Sequence, residues 1–194
     1  VGANDGMLHA FSAATGDELF GYIPSWMGPK LAALTAPTYA ANHQAYVDAT
    51  PVVGEVKVAN SSPASASDWK TVLVGGTGAG GRGVYALDVT DPSSFSASKV
   101  LWEFTQLHDA DMGFVIGAPK LVKMRTSAPS AASPTYRWFA AVASGVNNYV
   151  NDGLGNFSST GAPTIFLLAL DKPAGTAWTA TGSEPNYYKI ALPF

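Results

Sequence analysis

The chain has 194 residues, of which 47% are hydrophobic, 11% aromatic and only 13% charged. A net charge of −3 without any Lys/Arg cluster argues against a nucleic-acid partner, which needs cations to neutralise phosphates. The absence of cysteine excludes disulfides and thiolate metal sites, and no apolar run approaches the length of a membrane span. The 20 glycines and 13 prolines are typical of a chain with many strands and turns.

The first 45 residues divide into a β-like part and a part that breaks the β pattern. Short apolar runs at 1–3, 7–9 and 19–20, separated by turns, predict strands within residues 1–22. Residues 23–45 lack this alternation. Within them, the stretch near 29–35 predicts one or two helical turns, because it starts at Gly28-Pro29 and is interrupted before Pro37.

Residues 46–104 contain the clearest succession of strands. β-branched and apolar runs at 69–75, 84–89 and 100–104 are bounded by turns rich in Gly, Asp, Pro and Ser. A further, initial strand is predicted at 48–53, and the proline early in it fits, since proline is tolerated at strand starts and edges. This segment therefore predicts four strands in a row.

The same pattern recurs along the chain. The tripeptides Ala10-Phe11-Ser12, Ala86-Leu87-Asp88 and Ala169-Leu170-Asp171 each follow a turn and an apolar run. Residues 72–75 align with 140–143, and residues 48–53 align with 116–121 with their prolines superposed. Another strand is predicted at 187–192. Residues 113–194 therefore predict a second four-stranded unit.

Repeated four-stranded units joined by short turns are typical of β-propeller blades. The copies lie further apart than the about 40–50 residues of a usual blade, and insertions at 59–67, 126–134 and 147–163 account for the excess. We predict an all-β fold that is part of a modified β-propeller, with a partial blade at 1–22, a linker with a helical insertion at 23–45, and full blades at 46–104 and 113–194. A β-sandwich is the alternative. Because propellers close with about four to eight blades, we expect residues 1–194 to be a fragment of one propeller domain in a larger protein.

The glycine-rich turn at 75–83 contains the GxGxxG pattern of dinucleotide-binding proteins, at Gly76, Gly78 and Gly81. Such a site needs a helix after the turn, because the helix N-terminus holds the pyrophosphate. A β-branched run follows instead, so the turn predicts a hairpin and no nucleotide site. We predict no cofactor-binding residue in this chain.

The strongest metal candidates are oxygen-bearing residues on a Gly-rich loop, the donors that calcium prefers. They are Asn147, Asn151, Asp152 and Asn156. The loop departs from the EF-hand frame and has one carboxylate, so an ordinary Asn/Gly loop is the alternative. Asp109 and Asp111, which follow His108, form a weaker candidate, for which an inter-blade turn with Asp side chains capping backbone amides is the alternative.

No arrangement of acid, base and nucleophile is evident, and we predict no catalytic residue. His9 lies within a strand, and Ser144 lacks the G-x-S-x-G frame of a nucleophile elbow. Residues 10–20 resemble the structural AxDxxTGxxxW blade motif of quinoprotein dehydrogenases, but Ser12 replaces the aspartate and Phe20 the tryptophan. A quinoprotein-like oxidoreductase fragment is therefore an alternative reading of the chain.

Several stretches, in order along nearly the whole chain, resemble the PilC/PilY family of type IV pilus proteins. They are residues 1–11 (VGANDGMLHAF), 46–54 (YVDATPVVG), 69–88 with the glycine-rich turn, and 101–104 (LWEF) followed by 109–113 (DADMG). The resemblance implies the C-terminal propeller domain of a tip-associated adhesin and assembly factor.

The same resemblance implies a non-enzymatic role in pilus extension, surface attachment and twitching motility. The implied partners are pilin or minor pilin subunits at the pilus tip and a host or abiotic surface. The implied location is the cell surface, after export through the outer membrane of a Gram-negative bacterium. Calcium is implied for the full-length protein in a loop that would begin just past residue 194, and no cofactor is implied within this chain. A generic protein-binding propeller scaffold is a further alternative.

Overall fold

A computed structural model describes residues 1–59 and 65–193, and its regular structure there is dominated by ten β-strands. The strands are β1 (Leu8–Phe11), β2 (Glu18–Tyr22), β3 (Val52–Lys57), β4 (Trp69–Gly76), β5 (Gly83–Asp88), β6 (Val100–Thr105), β7 (Lys120–Arg125), β8 (Tyr136–Ser144), β9 (Thr164–Ala169) and β10 (Tyr187–Ala191). In this part of the chain, no helix is long and apolar enough to span a membrane.

Helical structure is confined to short segments. Helix α1 (Gly28–Leu31) has a proline in its first turn, and the 3₁₀ segment Ala32–Thr35 continues it. The predicted helical insertion near 29–35 is therefore confirmed. The other 3₁₀ segments are Ser25–Met27, Tyr39–Ala41, Ala66–Asp68, Pro92–Ser94 and Ala97–Lys99.

The strands form three antiparallel sheets in which neighbours in sequence are neighbours in space. Sheet I contains β1 and β2, sheet II has the order β3-β4-β5-β6, and sheet III has the order β7-β8-β9-β10. The glycine-rich turn joins β4 to β5, so it opens the predicted hairpin. The all-β prediction of two four-stranded blades and a partial one is confirmed. The exact domain boundaries given above stay a prediction.

Two strands begin later than predicted, and one predicted strand is absent. β3 starts at Val52 and β7 at Lys120, each directly after a proline, because a prolyl nitrogen has no hydrogen to donate to a sheet. Residues 1–3 contribute only an isolated bridge between Gly2 and Leu8. The insertion predicted at 59–67 lies partly outside the described residues.

The hydrogen-bond register corrects the alignment of the two full blades. Ala86 pairs with Val74, and the equivalent Ala169 pairs with Phe139. Val74 is therefore equivalent to Phe139 and not to Val142. A shift of an odd number of residues moves side chains to the opposite face of a sheet, so the predicted alignment assigned the β8 side chains to the wrong face.

Two apolar cores hold the sheets together. The first lies between sheets II and III, where Phe104 of β6 packs among buried residues including Val74, Trp102, Phe166 and Leu168. The second lies between sheets I and II and includes Leu8, Tyr22, Met27, Tyr46, Tyr85 and Leu87. Because both cores use β5 and its side chains alternate between them, every residue of β5 is buried.

Candidate functional site: loops at the glycine-rich end of the blades

The predicted loop at 147–156 is held mainly by its own polar side chains. Asn151 Oδ1 accepts hydrogen bonds from the backbone nitrogens of Gly153 (2.8 Å) and Gly155 (3.2 Å). Asp152 Oδ1 accepts from the nitrogens of Leu154 (2.8 Å) and Asn156 (3.1 Å). These are the local bonds by which Asn and Asp stabilise turns.

The charge of Asp152 is also stabilised within the loop. Asn156 Nδ2 donates to Asp152 Oδ2 at 2.9 Å, and this bond, together with the backbone bond from Leu154, lowers the pKa of Asp152 to about 2. The carboxylate is therefore ionised across the physiological range. Three hydrogen bonds from within the loop orient the carboxylate, and a side-chain bond from Gln106 adds to them.

The start of the loop is anchored in the protein interior. Asn147 has a left-handed backbone (φ 57°), a conformation that asparagine tolerates better than most residues. Asn148 is fully buried and donates through Nδ2 to the carbonyls of Asp111 (3.2 Å) and Ala162 (3.0 Å). Sequence reasoning did not single out Asn148, because nothing in an Asn-Asn pair reveals which amide is buried.

The weaker metal candidates, Asp109 and Asp111, are paired with a lysine. Lys189 Nζ of β10 lies 3.0 Å from Asp109 Oδ1 and 2.7 Å from Asp111 Oδ2. Burial lowers the pKa of Lys189, but the hydrogen bonds to Asp111 and Asp109 outweigh it and raise that pKa. The ammonium group thus occupies the position between the two carboxylates that a cation would take.

Further hydrogen bonds tie this acidic turn to the loop and to β10. Ser158 Oγ donates to Asp111 Oδ1 at 2.5 Å, and Tyr187 Oη donates to Asp109 Oδ2 at 3.0 Å. Burial and the nearby Asp109 raise the pKa of Tyr187 to about 12, so the phenol stays a donor. The two regions predicted separately from sequence therefore lie at one end of the sheets and are linked to each other.

Arg82, at the end of the glycine-rich turn, connects sheet II to the same loop. Its Nη2 donates to the carbonyl of Val150 at 2.5 Å and its Nη1 to that of Asn156 at 3.3 Å, while the guanidinium lies 5.9 Å from the Phe114 ring. The side chain is almost fully buried. Sequence reasoning missed this role, although a lone arginine within a glycine-rich turn is the signal that could have pointed to it.

The glycine-rich turn packs against protein and leaves no room for a phosphate at Gly80. A Cβ atom there would lie 1.7 Å from the carbonyl oxygen of Tyr46, so only glycine fits. Lys30 Nζ donates to the carbonyls of Gly80 at 2.6 Å and of Ala45 at 3.0 Å, which joins the turn to the residue before Tyr46. The turn therefore serves close packing between residues 46–48 and sheet II.

A second connection, also missed from sequence, joins all three sheets at Glu103 of β6. Its Oε1 accepts hydrogen bonds from Tyr22 Oη (2.6 Å) and the nitrogen of Ser25 (2.8 Å), and its Oε2 accepts from Ser25 Oγ. The backbone carbonyl of Glu103 accepts from Trp178 Nε1 at 2.8 Å. The carboxylate thus links sheet II to sheet I, and the carbonyl links it to the segment before β10.

The fit of a metal ion to these residues is limited. Within the described parts of the chain, no three His, Asp or Glu side chains are grouped so that they could hold a metal. The loop offers one carboxylate, whose oxygens already accept the loop's own hydrogen bonds. Calcium binding by Asn147, Asn151, Asp152 and Asn156, or by Asp109 and Asp111, stays a prediction.

Ser144, which was considered as a nucleophile, and His108, which precedes the acidic turn, both have structural partners. Ser144 Oγ accepts from the nitrogen of Gly113 (2.8 Å) and lies 3.4 Å from the sulfur of Met112. His108 Nδ1 accepts from the nitrogen of Thr105 at 3.0 Å. Among the hydrogen bonds of the described residues, none joins a serine to a histidine.

Comparison with known proteins gives a consistent result. A family model described as the PilY1 beta-propeller domain matches residues 1–175. A type IV pilus biogenesis factor PilY1 homolog from Xylella fastidiosa is 41% identical over 170 residues, which is 88% of this chain and 10% of that protein. Type IV pilus biogenesis factor PilY1 from Pseudomonas aeruginosa (strain UCBPP-PA14) is 42% identical over 127 residues, 65% of this chain and 10% of that protein.

A solved structure agrees in fold. The crystal structure of the Pseudomonas aeruginosa PilY1 C-terminal domain matches with a TM-score of 0.57 and 27% identity, over 96% of this chain and 30% of that one. The chain spans about a tenth of the length of the curated relatives named above. With a family model that matches most of its residues and relatives above 40% identity, this chain belongs to the PilY1 β-propeller domain family.

Proposed function

We propose that this chain is a non-enzymatic module of a type IV pilus biogenesis protein, and that it supports pilus assembly and surface attachment at the pilus tip. The observation that carries the proposal is membership of the PilY1 propeller family, whose named relatives are type IV pilus biogenesis factors. This location requires export through the outer membrane of a Gram-negative bacterium. The partners we propose are pilin or minor pilin subunits and the surface to which the pilus attaches.

The way the sheets are joined supports a mechanical role. Antiparallel sheets carry load through their inter-strand hydrogen bonds, and here polar bonds also cross between sheets. Glu103 joins sheet II to sheet I, Arg82 joins sheet II to the loop after β8, and Asp109 joins the turn after β6 to β10. Force applied to one sheet is therefore passed to its neighbours through these polar contacts as well as through the apolar cores.

The loop at 147–157 offers the surface that we propose for partner contact. Leu154 is 82% exposed and Tyr149 is 60% exposed, and Val150 and Phe157 are exposed beside them. Exposed apolar side chains on a rigidly held loop are typical of recognition sites. Because Arg82 and Ser158 fix the loop at several points, its exposed side chains are presented in a defined arrangement.

Charged substitutions on this loop test the proposal in a type IV piliated bacterium whose only PilY1-family protein is this one. We expect Leu154→Asp combined with Tyr149→Asp to lower pilus number or attachment, because the exposed apolar surface is lost. Both side chains are largely exposed, so the melting temperature of the protein should stay the same. Phe11→Asp, an exposed aromatic on β1, is the matched control.

The outcomes distinguish the role of the protein in the pilus from the role of this loop as the contact surface. Deletion of the whole protein without any change in pilus number or attachment would reject a role in the pilus. Loss of pili on deletion, with normal attachment and pilus number in the double variant, would retain the pilus role and reject this loop as the contact surface.

A further inference from the structure

A long cleft at the end opposite the glycine-rich turn begins between sheets II and III and continues around the end of sheet III toward its uncovered face. Its first part is a cavity of about 590 Å³ that the end of β3, the start of β4 and the facing ends of β7 and β8 surround. The lining residues that matter here are Lys57, Trp69, Lys123, Tyr136, Arg137 and Trp138. None of them takes part in the loop site described above.

Aromatic rings form the apolar part of this cavity. Trp69 and Trp138 lie edge to face, with ring centroids 6.1 Å apart and planes inclined by 71°. Trp69 and Tyr136 each keep 45% of their surface exposed, although both lie within the cavity wall. Large aromatic side chains present a flat apolar face with a polar tip and lose little conformational entropy on binding.

Positive charge accompanies the exposed rings. Lys123 Nζ lies 5.0 Å from the centre of the Tyr136 ring, and within the described residues it forms no ion pair. Lys57 Nζ lies 3.5 Å from Asp68 at the other side of the cavity. Of the three cations that line this cavity, Lys57 and Arg137 are each paired with an aspartate, so Lys123 supplies its uncompensated positive charge, which attracts ligands of the opposite sign.

The cavity continues into a second one, so that the cleft is elongated. The second cavity, of about 570 Å³, shares Thr126, Thr135, Arg137 and Asp171 with the first. At the junction, Arg137 Nη2 donates to Asp171 Oδ1 at 2.7 Å, and Thr126 and Thr135 bring their hydroxyls within 3.1 Å of each other. Hydroxyl groups and the ion pair provide both donors and acceptors along the cleft. The charged lining residues of the second cavity are Arg137, Asp171 and Glu184, so the cationic part of the cleft is the first cavity.

We propose that this cleft binds an acidic polysaccharide, with uronate rings stacked on Trp69 and Tyr136 and their carboxylates paired with Lys123 and Lys57. The apolar C–H faces of a pyranose ring match exposed aromatic faces, and the carboxylates match the two ammonium groups. The elongated shape suits a polymer of several rings. An acidic peptide would use the lysines as well, but it would not require the flat aromatic faces.

The inference goes beyond the proposed pilus role and does not depend on it. The cleft lies at the opposite end of the sheets from the loop at 147–157, and its test uses purified protein. Loss of polysaccharide binding could therefore leave the pili normal. Loss of the pilus role could equally leave polysaccharide binding intact.

The probe is polygalacturonate, an unbranched chain of uronate rings, titrated into the chain at low ionic strength with calorimetry as the readout. Methyl-esterified polygalacturonate removes the charge while keeping the rings, and poly-L-glutamate keeps the charge while removing them. We expect binding of polygalacturonate only. Lys123→Glu and Tyr136→Ala should each weaken it about tenfold or more, because each removes one of the two required contacts.

Matched controls separate the cleft from the general charge of the protein. Lys120→Glu makes the same charge change on the same strand, outside the cleft lining, and Phe11→Ala removes an exposed aromatic elsewhere. Neither should alter binding. If Tyr136→Ala does not fold, as judged by its melting temperature, the comparison of Lys123→Glu with Lys120→Glu still tests whether the cleft binds the polymer.

Four results would overturn the proposal. They are no binding of polygalacturonate, equal weakening by Lys120→Glu and Lys123→Glu, binding of poly-L-glutamate as tight as that of polygalacturonate, and equally tight binding of the methyl-esterified polymer. The third would assign the cleft to acidic peptides, and the fourth would assign it to neutral glycans.

Discussion

Sheets II and III share a four-stranded meander and an Ala-Leu-Asp tripeptide, yet they are buried to very different extents. Every residue of β5, a central strand of sheet II, is buried, because sheet I covers one face and sheet III the other. In sheet III, β7 and β10 are mostly exposed, and Met124, Tyr188 and Ile190 lie on or beside the uncovered face. The repeated sequence thus specifies the sheet, and neighbouring sheets decide which of its faces are buried.

The polar contacts follow the same division. Sheet II is linked by Glu103 to sheet I and by Arg82 to the loop that follows β8. The uncovered face of sheet III carries the Arg137–Asp171 pair, with the guanidinium 5.5 Å from the Phe139 ring. We therefore expect substitutions at the contacts of sheet II to cost more stability than comparable changes on the uncovered face of sheet III.

The largest effect is expected for Phe104→Ala, in the core between sheets II and III. The ring is fully buried and contacts the rings of Phe166, Trp178 and Tyr187, so its removal leaves a cavity. We expect a loss of about 3–5 kcal/mol in the free energy of unfolding, measured by urea denaturation.

Ile190→Ala on sheet III provides the comparison with Phe104→Ala. Ile190→Ala removes an apolar side chain that is about half exposed, and it should cost less than about 1 kcal/mol. Equal losses for the two variants would mean that the face of sheet III bearing Ile190 is buried in solution, which would remove the difference between the sheets.

Much of the fold could be predicted because its signals are local. Turn residues and apolar runs located the sheet II strands to within one or two residues, apart from β3, and the repeat predicted sheet III. The register of β8 could not be predicted, because Ala140, Ala141 and Ala143 offer no difference in size or polarity between the two faces of the strand. The starts of β3 and β7 were predicted too early. The residues before each proline are apolar or small, as strand residues often are, so the sequence does not show that strand pairing begins only after the proline.

Glu103→Ala should have the next largest effect, because it separates sheet I from sheet II. The variant leaves the buried Tyr22 hydroxyl without its acceptor and removes two bonds to Ser25. Burial, the largest cause of the raised pKa of Tyr22, persists in the variant, so the phenol stays protonated. We expect a loss of about 1–3 kcal/mol in the free energy of unfolding.

Glu55→Ala is the control for Glu103→Ala, since Glu55 is also a strand carboxylate but its hydrogen-bond partner, Thr71, lies within sheet II. Its cost should stay below about 1 kcal/mol. Hydrogen exchange locates the effect, and faster exchange in β1 and β2 is expected for Glu103→Ala alone. Unchanged exchange there would mean that the apolar core, without Glu103, holds sheet I in place.

Arg82→Ala should release the loop at 147–156 from sheet II with a smaller effect on global stability. The variant removes two charge-assisted hydrogen bonds, to the carbonyls of Val150 and Asn156, which are worth about 1–3 kcal/mol between them. We expect faster hydrogen exchange at Gly153 and Gly155. Arg125→Ala, whose bonds go to the exposed loop after β7, should leave those amides unchanged.

The loop site was only partly predictable from sequence. The Asn/Gly composition located the loop, and the pair of aspartates located the turn at 109–111. The connections between them depend on residues distant in sequence, such as Lys189 and Arg82, which no local pattern associates with these segments. A single buried amide, such as that of Asn148, has the same sequence signature as an exposed one.

The smallest effect is a pH dependence of sheet I that arises from His9. Its Nδ1 lies 2.6 Å from Glu18 Oε1 and its Nε2 lies 2.8 Å from Asp5 Oδ2, so both ring nitrogens donate when the imidazole is protonated. The bond to Glu18 raises the pKa of His9 above its ordinary value, burial opposes this, and the bond to Asp5 adds to it. A raised pKa in the folded state means that the protonated form stabilises folding.

This stabilisation is fully present below the unfolded pKa of about 6.5 and is lost as the pH rises through the raised folded value. Because the carboxylates are about half exposed, solvent screening keeps the effect below about 1 kcal/mol. We expect exchange in β1 and β2 to quicken as the pH rises from about 6 to about 8.5, beyond the intrinsic base catalysis of exchange. In His9→Gln this extra acceleration should be absent. If the His9→Gln variant keeps this acceleration, a group other than His9 makes the attachment of sheet I to sheet II depend on pH.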